Sequence, residues 1–169
     1  VVPYFGYARQ DRKHEGRVPI TAKLVANLLT TAGIDRLLAM DLHSAQMQGF
    51  FDIPVDHLFA APVMIRHLRE LKLDGETVIM APDAGGMKMV NAFAKRLGAA
   101  MALVDKRRVG DKEVDRGYVI GDIAGKHAVI VDDMITTAGT ATQAVRVCRE
   151  AGVRSVRIMA THAVFCDPA

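Results

Sequence analysis

Asp132 and Asp133 stand side by side at the end of the apolar run 128–131, and Thr136, Thr137, Gly139 and Thr140 follow before a helix-period segment begins. Two adjacent carboxylates are acceptors suited to the paired donors of vicinal sugar hydroxyls. Threonine hydroxyls and closely approaching backbone N–H groups suit a phosphate. A helix start capped by threonine beside a surface acidic pair would use some of the same residues. Such a cap accounts for one threonine, however, and leaves two carboxylates after a buried strand without a reason.

Three further clusters follow apolar runs in the same way. Asp41 and His43 come after Met40, Asp83 after Ala81, and Asp105, Lys106 and Arg108 after Val104. His43 beside Asp41 is either a satisfied polar residue or a ligand; magnesium prefers oxygen, so His43 would act through water or on phosphate as readily as directly. Asp83, between Pro82 and the pair Gly85 and Gly86, reads as an ordinary turn aspartate or as one end of an anion and metal site. In an extended backbone Lys106 and Arg108 point to one side and Arg107 to the other. That cluster is either a solubilising patch or the start of a loop able to close over polyphosphate. "ARQDRK", with Arg9, Gln10 and Asp11, is a solvated charged turn or a place where a guanidinium stacks on a base and an amide bonds a ring.

The elements that would hold these groups are legible from periodicity. Apolar runs at 37–40, 77–81, 101–104, 128–131 and 156–160 are too short for helices and are bounded by turn residues or charge, which predicts buried strands. Helical spacing links Ile20, Leu24, Val25 and Leu28; Met64, Ile65, Leu68 and Leu71; Val90, Phe93, Ala94 and Leu97; and Ala141, Ala144, Val145 and Cys148. Gly33, Gly98 and Gly152 fall where helix stops belong. The alternation predicts an α/β fold with a mostly parallel sheet flanked by helices, whose reactive groups collect at the carboxyl ends of the strands. An extended, proline-bearing connection through Pro54 sets a domain boundary near Asp52, giving units 1–52 and 53–169. Residues 106–122 read as a second break, with a charged mobile loop expected before a short hairpin at "YVIGDI".

Composition narrows the class. The chain has 169 residues, half of them hydrophobic, so it can bury a real core. No apolar run approaches the roughly 20 residues that span a bilayer, and no signal-peptide layout opens the sequence. The formal charge of +3, with acids interleaved, suits small anionic substrates better than a nucleic-acid track. Cys148 and Cys166 have neither metal-ligand spacing nor the density of a disulfide framework, and read as reduced thiols of a soluble cytoplasmic protein. Val1 and the closing "CDPA" lack the marks of natural ends, so the chain reads as an internal piece of a longer protein.

"DDMITTAGT" resembles the sugar-phosphate motif of the phosphoribosyltransferase fold, and four other stretches carry a closer resemblance to the ribose-phosphate pyrophosphokinase family. "PYFGYARQDRK" is similar to that family's ATP-contacting segment, "DLHSAQMQGFFDIPVDHL" to its metal and nucleotide region, "PDAGGMK" to its magnesium and ribose 5-phosphate segment, and "DKRR" to the start of its catalytic loop. The resemblance implies diphosphoryl transfer from ATP, with Mg²⁺, to the anomeric hydroxyl of ribose 5-phosphate, giving phosphoribosyl pyrophosphate and AMP. It implies Lys106, Arg108 and His43 as catalytic residues. Asp132, Asp133, Thr136, Thr137, Ala138, Gly139, Thr140 and Arg108 would hold ribose 5-phosphate. Arg9, Gln10, Asp11 and His43 would hold ATP, and His43 and Asp83 the metal. It further implies a homo-oligomer, hexamer or dimer, without a nucleic-acid or membrane partner. Thr136 departs from the family, where many members carry Asp, and Cys166-Asp167 stands where a serine-glycine pair is common. A phosphoribosyltransferase that consumes the product, or a non-catalytic regulatory relative, are the competing readings.

Overall fold

The computed structural model describes residues 1–73, 75–105, 117–167 and 169. The chain divides into two compact units, Val1–Ala60 and Ala61–Ala169.

The first unit carries helix α1 (Thr21–Thr31), strand β1 (Leu37–Met40), a 3₁₀ segment Ala45–Phe50 and strand β2 (Val55–Leu58). β1 and β2 pair in parallel, with Leu37 opposite Val55 and Met40 opposite Leu58. The division therefore falls after β2 rather than near Asp52. Phe51 to Leu58 read as a connection because Pro54 interrupts the pattern, yet the proline precedes the strand's first paired residue, where its missing N–H costs no ladder bond. The core joins Phe5, Ala8, Ala22, Ala26, Leu37, Ala39, Leu42, Met47 and Phe51. Phe5 and Phe51 meet edge to face at 5.8 Å, the geometry favoured by the ring quadrupole. On α1 the fully buried positions are Ala22 and Ala26, one turn apart, while Leu24 and Leu28 are exposed. The stripe expected from the larger side chains is thus displaced, because the helix lies against the 3₁₀ segment and small residues permit that approach.

The second unit holds α2 (Ala61–Glu70), β3 (Thr77–Ala81), α3 (Met87–Leu97), β4 (Ala100–Asp105), β5 (Tyr118–Ile120), β6 (His127–Ile135), α4 (Gly139–Glu150) and β7 (Ser155–Ala163). Its five-stranded sheet has the order β5-β4-β3-β6-β7. β3 pairs in parallel with β4 and β6, and β6 with β7; only β5 runs antiparallel, against β4. Alternate residues of β3 explain the layering. Val78 and Met80 join Ala128, Ile130, Ala144, Val147 and Cys148 beneath α4, whereas Ile79 and Ala81, of opposite parity, are also fully buried. A sheet covered on both faces gives continuous apolar strands rather than alternating ones.

From β3 the chain passes through α3 to β4 on one side, and from β6 through α4 to β7 on the other. The β3–β6 junction is therefore the switch point where open α/β sheets form a crevice beyond the strand ends. Two glycines are needed for this frame. Gly98 ends α3 in a left-handed conformation with φ 65°. At Gly121, φ is 126° and an added Cβ would lie 2.8 Å from the Ala102 Cβ, so β5 can press against β4 only without a side chain there.

Candidate functional site

In the second unit the acidic groups are assembled by unequal strand lengths. The last β3 residue in register with β6 is Met80, opposite Ile130, whereas β6 stays paired to β7 as far as Ile135, opposite Ala163. β6 therefore projects past the end of β3 and carries Asp132 and Asp133 beyond it. Asp83 follows β3 directly, after the buried Pro82. Its Oδ1 accepts from the Gly85 N–H at 2.9 Å, which opens the 3₁₀ turn leading into α3. A Cβ on Gly85 would stand 3.1 Å from that oxygen, so glycine keeps the turn close.

These carboxylates sense one another. The Asp132 carboxyl is pushed up to about 7, first by burial, then by the side-chain hydrogen bond and charge of Asp133, with Asp83 adding its charge. The Asp133 N–H, which donates to Asp132 Oδ1 at 2.9 Å, opposes the rise. Three acids thus share a rim that cannot comfortably hold all their charges.

The turn after β6 disposes of the capping alternative. α4 begins at Gly139 behind Ala138, which is left-handed with φ 58°, and no side chain caps the helix. The Thr142 N–H donates to the Ala138 carbonyl at 2.8 Å. The first N–H groups of a helix lack intrahelical acceptors and carry the positive end of its dipole, which favours an anion. Thr136, Thr137, Ala138, Gly139 and Thr140 line that start, with Thr137 and Gly139 exposed.

The remaining positions lie in the first unit or outside the described residues. The Val2 N–H donates to Leu38 O and the Met40 N–H to Pro3 O. The opening residues therefore run beside β1 and turn off at the same end as His43. Phe5 and Ala8 anchor the turn in the core while Arg9 and Gln10 are exposed, and Gln10 O accepts from the Ala22 N–H at 3.1 Å at the start of α1. His43 is exposed, one residue beyond the buried Leu42. Lys106 and Arg108 lie outside the described residues. Their flank is fixed: Asp105 lies opposite Tyr118 across β4 and β5, and the Tyr118 hydroxyl donates to Asp105 Oδ2 at 2.5 Å.

Sequence reasoning missed His57. Its Nε2 accepts the Leu42 N–H at 3.0 Å, and its ring lies 4.4 Å from that of Phe59. Recognising residues 55–58 as a strand beside β1 would have exposed it. Among the described residues no three His, Cys, Asp or Glu side chains are grouped to hold a metal ion. Magnesium needs few protein ligands, since it keeps water and takes phosphate oxygens, and an acidic rim with a carboxyl raised by its neighbours is chemically suited to it. A separate cavity of about 360 Å³ is lined by Pro62, Ile65, Arg66 and Arg69 along α2 and by Arg96 in the last turn of α3. There Arg69 donates to Arg96 O and Arg96 to Ala92 O, so those guanidiniums serve helix carbonyls.

A mostly parallel sheet with a switch point, an acidic pair on the projecting strand and a helix start beside it define a helix-flanked α/β domain with its candidate site at the strands' carboxyl ends. Residues 59–168 match the family described as phosphoribosyl transferase domain, and the chain belongs to it. Residues 1–33 match the N-terminal domain of ribose phosphate pyrophosphokinase. Over its whole length the chain is similar to ribose-phosphate pyrophosphokinases. Proteins so named from Rhodopirellula baltica and Gloeobacter violaceus are 56% and 55% identical to it; the matches cover 100% of this chain and 54% and 51% of theirs. A crystal structure of phosphoribosylpyrophosphate synthetase from Mycobacterium smegmatis is 45% identical with a TM-score of 0.91, over 99% of this chain and 54% of that one. The chain thus spans about half the length of the curated relatives it matches. No helix among the described residues is long and apolar enough to cross a membrane.

Proposed function

We propose that the full-length protein transfers the β,γ-diphosphoryl unit of ATP to the anomeric hydroxyl of ribose 5-phosphate, giving phosphoribosyl pyrophosphate and AMP. The observation that carries this reading is the pairing of the Asp132–Asp133 rim with an uncapped α4, because together they offer acceptors to sugar hydroxyls and donors to a phosphate. Names of relatives and the N-terminal match support ATP chemistry over simple sugar-phosphate binding.

In this reading Asp132 and Asp133 accept the ribose hydroxyls. The residues 136–140 surround the 5-phosphate with hydroxyls and the α4 amides, joined by Arg108. Arg9, Gln10 and Asp11 hold the nucleotide, with His43 against its phosphates. His43 and Asp83 are the residues that would hold Mg²⁺, which, when bound with ATP, neutralises phosphate charge. Lys106 and Arg108 close on the transferring group, where positioning and charge neutralisation do most of the work. The protein acts in the cytoplasm as a homo-oligomer.

Full-length protein incubated with ATP, Mg²⁺ and ribose 5-phosphate should release AMP only when all three are present. Loss of Lys106 should cost at least about 3 kcal/mol of barrier, roughly a hundredfold in rate, by analogy with removing one preorganised donor. Release of ADP, or no release at all, overturns the reading, and unchanged turnover in Lys106→Ala removes that residue from the mechanism.

A further inference from the structure

We infer that His57 is a positioning residue for the nucleotide site: it accepts the Leu42 amide hydrogen and so fixes the turn that presents His43. The inference rests on the proposed nucleotide role of His43 and adds to it a group that does not touch substrate.

The turn after β1 creates the need for this bond. Asp41 is buried and left-handed, with φ 42°, a conformation that non-glycine residues adopt only when their surroundings enforce it. Two bonds hold Asp41 itself: its N–H donates to Leu58 O at 2.9 Å, and its Oδ2 accepts from the Ala60 N–H at 3.0 Å. The left-handed step turns the next amide, that of Leu42, out of the β1–β2 ladder, and Leu42 is itself buried. A buried N–H without an acceptor is costly. His57 lies one residue before Leu58 on the neighbouring strand, in register with Ala39, and its Nε2 receives that hydrogen at 3.0 Å.

An imidazole fits this place for three reasons. As an acceptor at Nε2 it is neutral and carries its proton on Nδ1. Burial pushes its protonation below the usual histidine range, against a smaller opposing effect of the Asp41 charge, which favours that neutral form. The ring is planar and lies against Phe59, the two centroids 4.4 Å apart. The acceptor atom is therefore held in one place, and the peptide leading to His43 with it.

The test uses full-length protein and three readouts: hydrogen exchange at the Leu42 amide, affinity for a non-hydrolysable Mg–ATP analogue, and affinity for ribose 5-phosphate. His57→Leu, which removes the acceptor, should speed Leu42 exchange and weaken the nucleotide analogue about tenfold, the equivalent of one hydrogen bond, with ribose 5-phosphate binding unchanged. His57→Gln, whose amide oxygen reaches as far as Nε2, should restore nucleotide affinity to within about threefold. A role confined to stability would lower the melting temperature in both variants without separating the two ligands. If His57→Leu does not fold, His57→Asn replaces it, its oxygen being too short to reach Leu42, with the same expectation. Accelerated exchange with unchanged nucleotide affinity overturns the inference, as does unaltered exchange. Wild-type protein that binds no nucleotide analogue overturns instead the reading on which it rests.

Discussion

The turns that follow β1 and β6 begin alike, with an acidic residue at or near a strand's carboxyl end, and are then completed in opposite ways. After β1, Asp41 and Leu42 are fastened from within: Leu58, Ala60 and His57 supply partners to a buried, left-handed corner. After β6, Ala138 is also left-handed, yet α4 starts without a side-chain cap and its threonine-rich approach is half open to solvent. The first turn is a finished piece of protein that displays one side chain. The second exposes Thr137 and Gly139 at a helix dipole's positive end, a place that favours an anion. Strained backbone is common to both and does not by itself tell a ligand site from a scaffold; the fate of the neighbouring amides does.

Breaking the open turn should hurt activity most. Asp132→Asn with Asp133→Asn, measured as kcat/KM for ribose 5-phosphate in the full-length protein, should fall by a hundredfold or more, about the loss of one to two charged hydrogen bonds. A decrease below tenfold would place the sugar elsewhere. The closed turn should instead answer in stability. Asp41→Ala strips the acceptor from the Ala60 N–H and leaves a left-handed alanine, so unfolding in denaturant should show a loss of about 2–3 kcal/mol. Thr137→Val in the open turn should change unfolding by less than about 0.5 kcal/mol while reducing the thermal protection given by ribose 5-phosphate. Equal stability losses in the two variants would erase the distinction between them.

A smaller effect distinguishes the acids themselves. The Asp132 carboxyl ordinarily titrates at 3.8 and is raised to about 7 in the folded protein. Between those values the unfolded chain has released its proton and the folded one retains it, so this group's contribution to stability is full below 3.8 and is lost as pH rises toward 7. Asp132→Asn, a neutral mimic of the protonated form, should match wild type in acid and unfold at a higher temperature above pH 7. A constant difference across that range would mean that the rise at Asp132 is not what governs it.

Most of the sheet was legible because buried parallel strands leave short apolar runs and the helices between them keep a clear period. Asp83, Asp132 and Asp133 were legible for the same reason: each follows a run whose end is plain. Two features were not. β2 was hidden by Pro54 and by Asp56 and His57, polar residues engaged by Arg36 and by the Leu42 amide, whose partners lie far away in sequence. The inner face of α1 was hidden because alanines make it, and hydrophobicity weights the exposed Leu24 and Leu28 above them. The missing cap on α4 was equally out of reach, since the sequence shows threonines but not whether their oxygens turn toward the helix.

The lateral pairing of Asp105 with Tyr118 has a different kind of consequence. It fastens the β4–β5 edge of the sheet with a side-chain bond beside the backbone ladder. Because the entropy of closing a loop grows only with the logarithm of its length, doubling the intervening residues would cost about 0.6 kcal/mol. A change in the number of residues between Asp105 and Tyr118 would thus weigh on this edge of the sheet by less than one typical hydrogen bond.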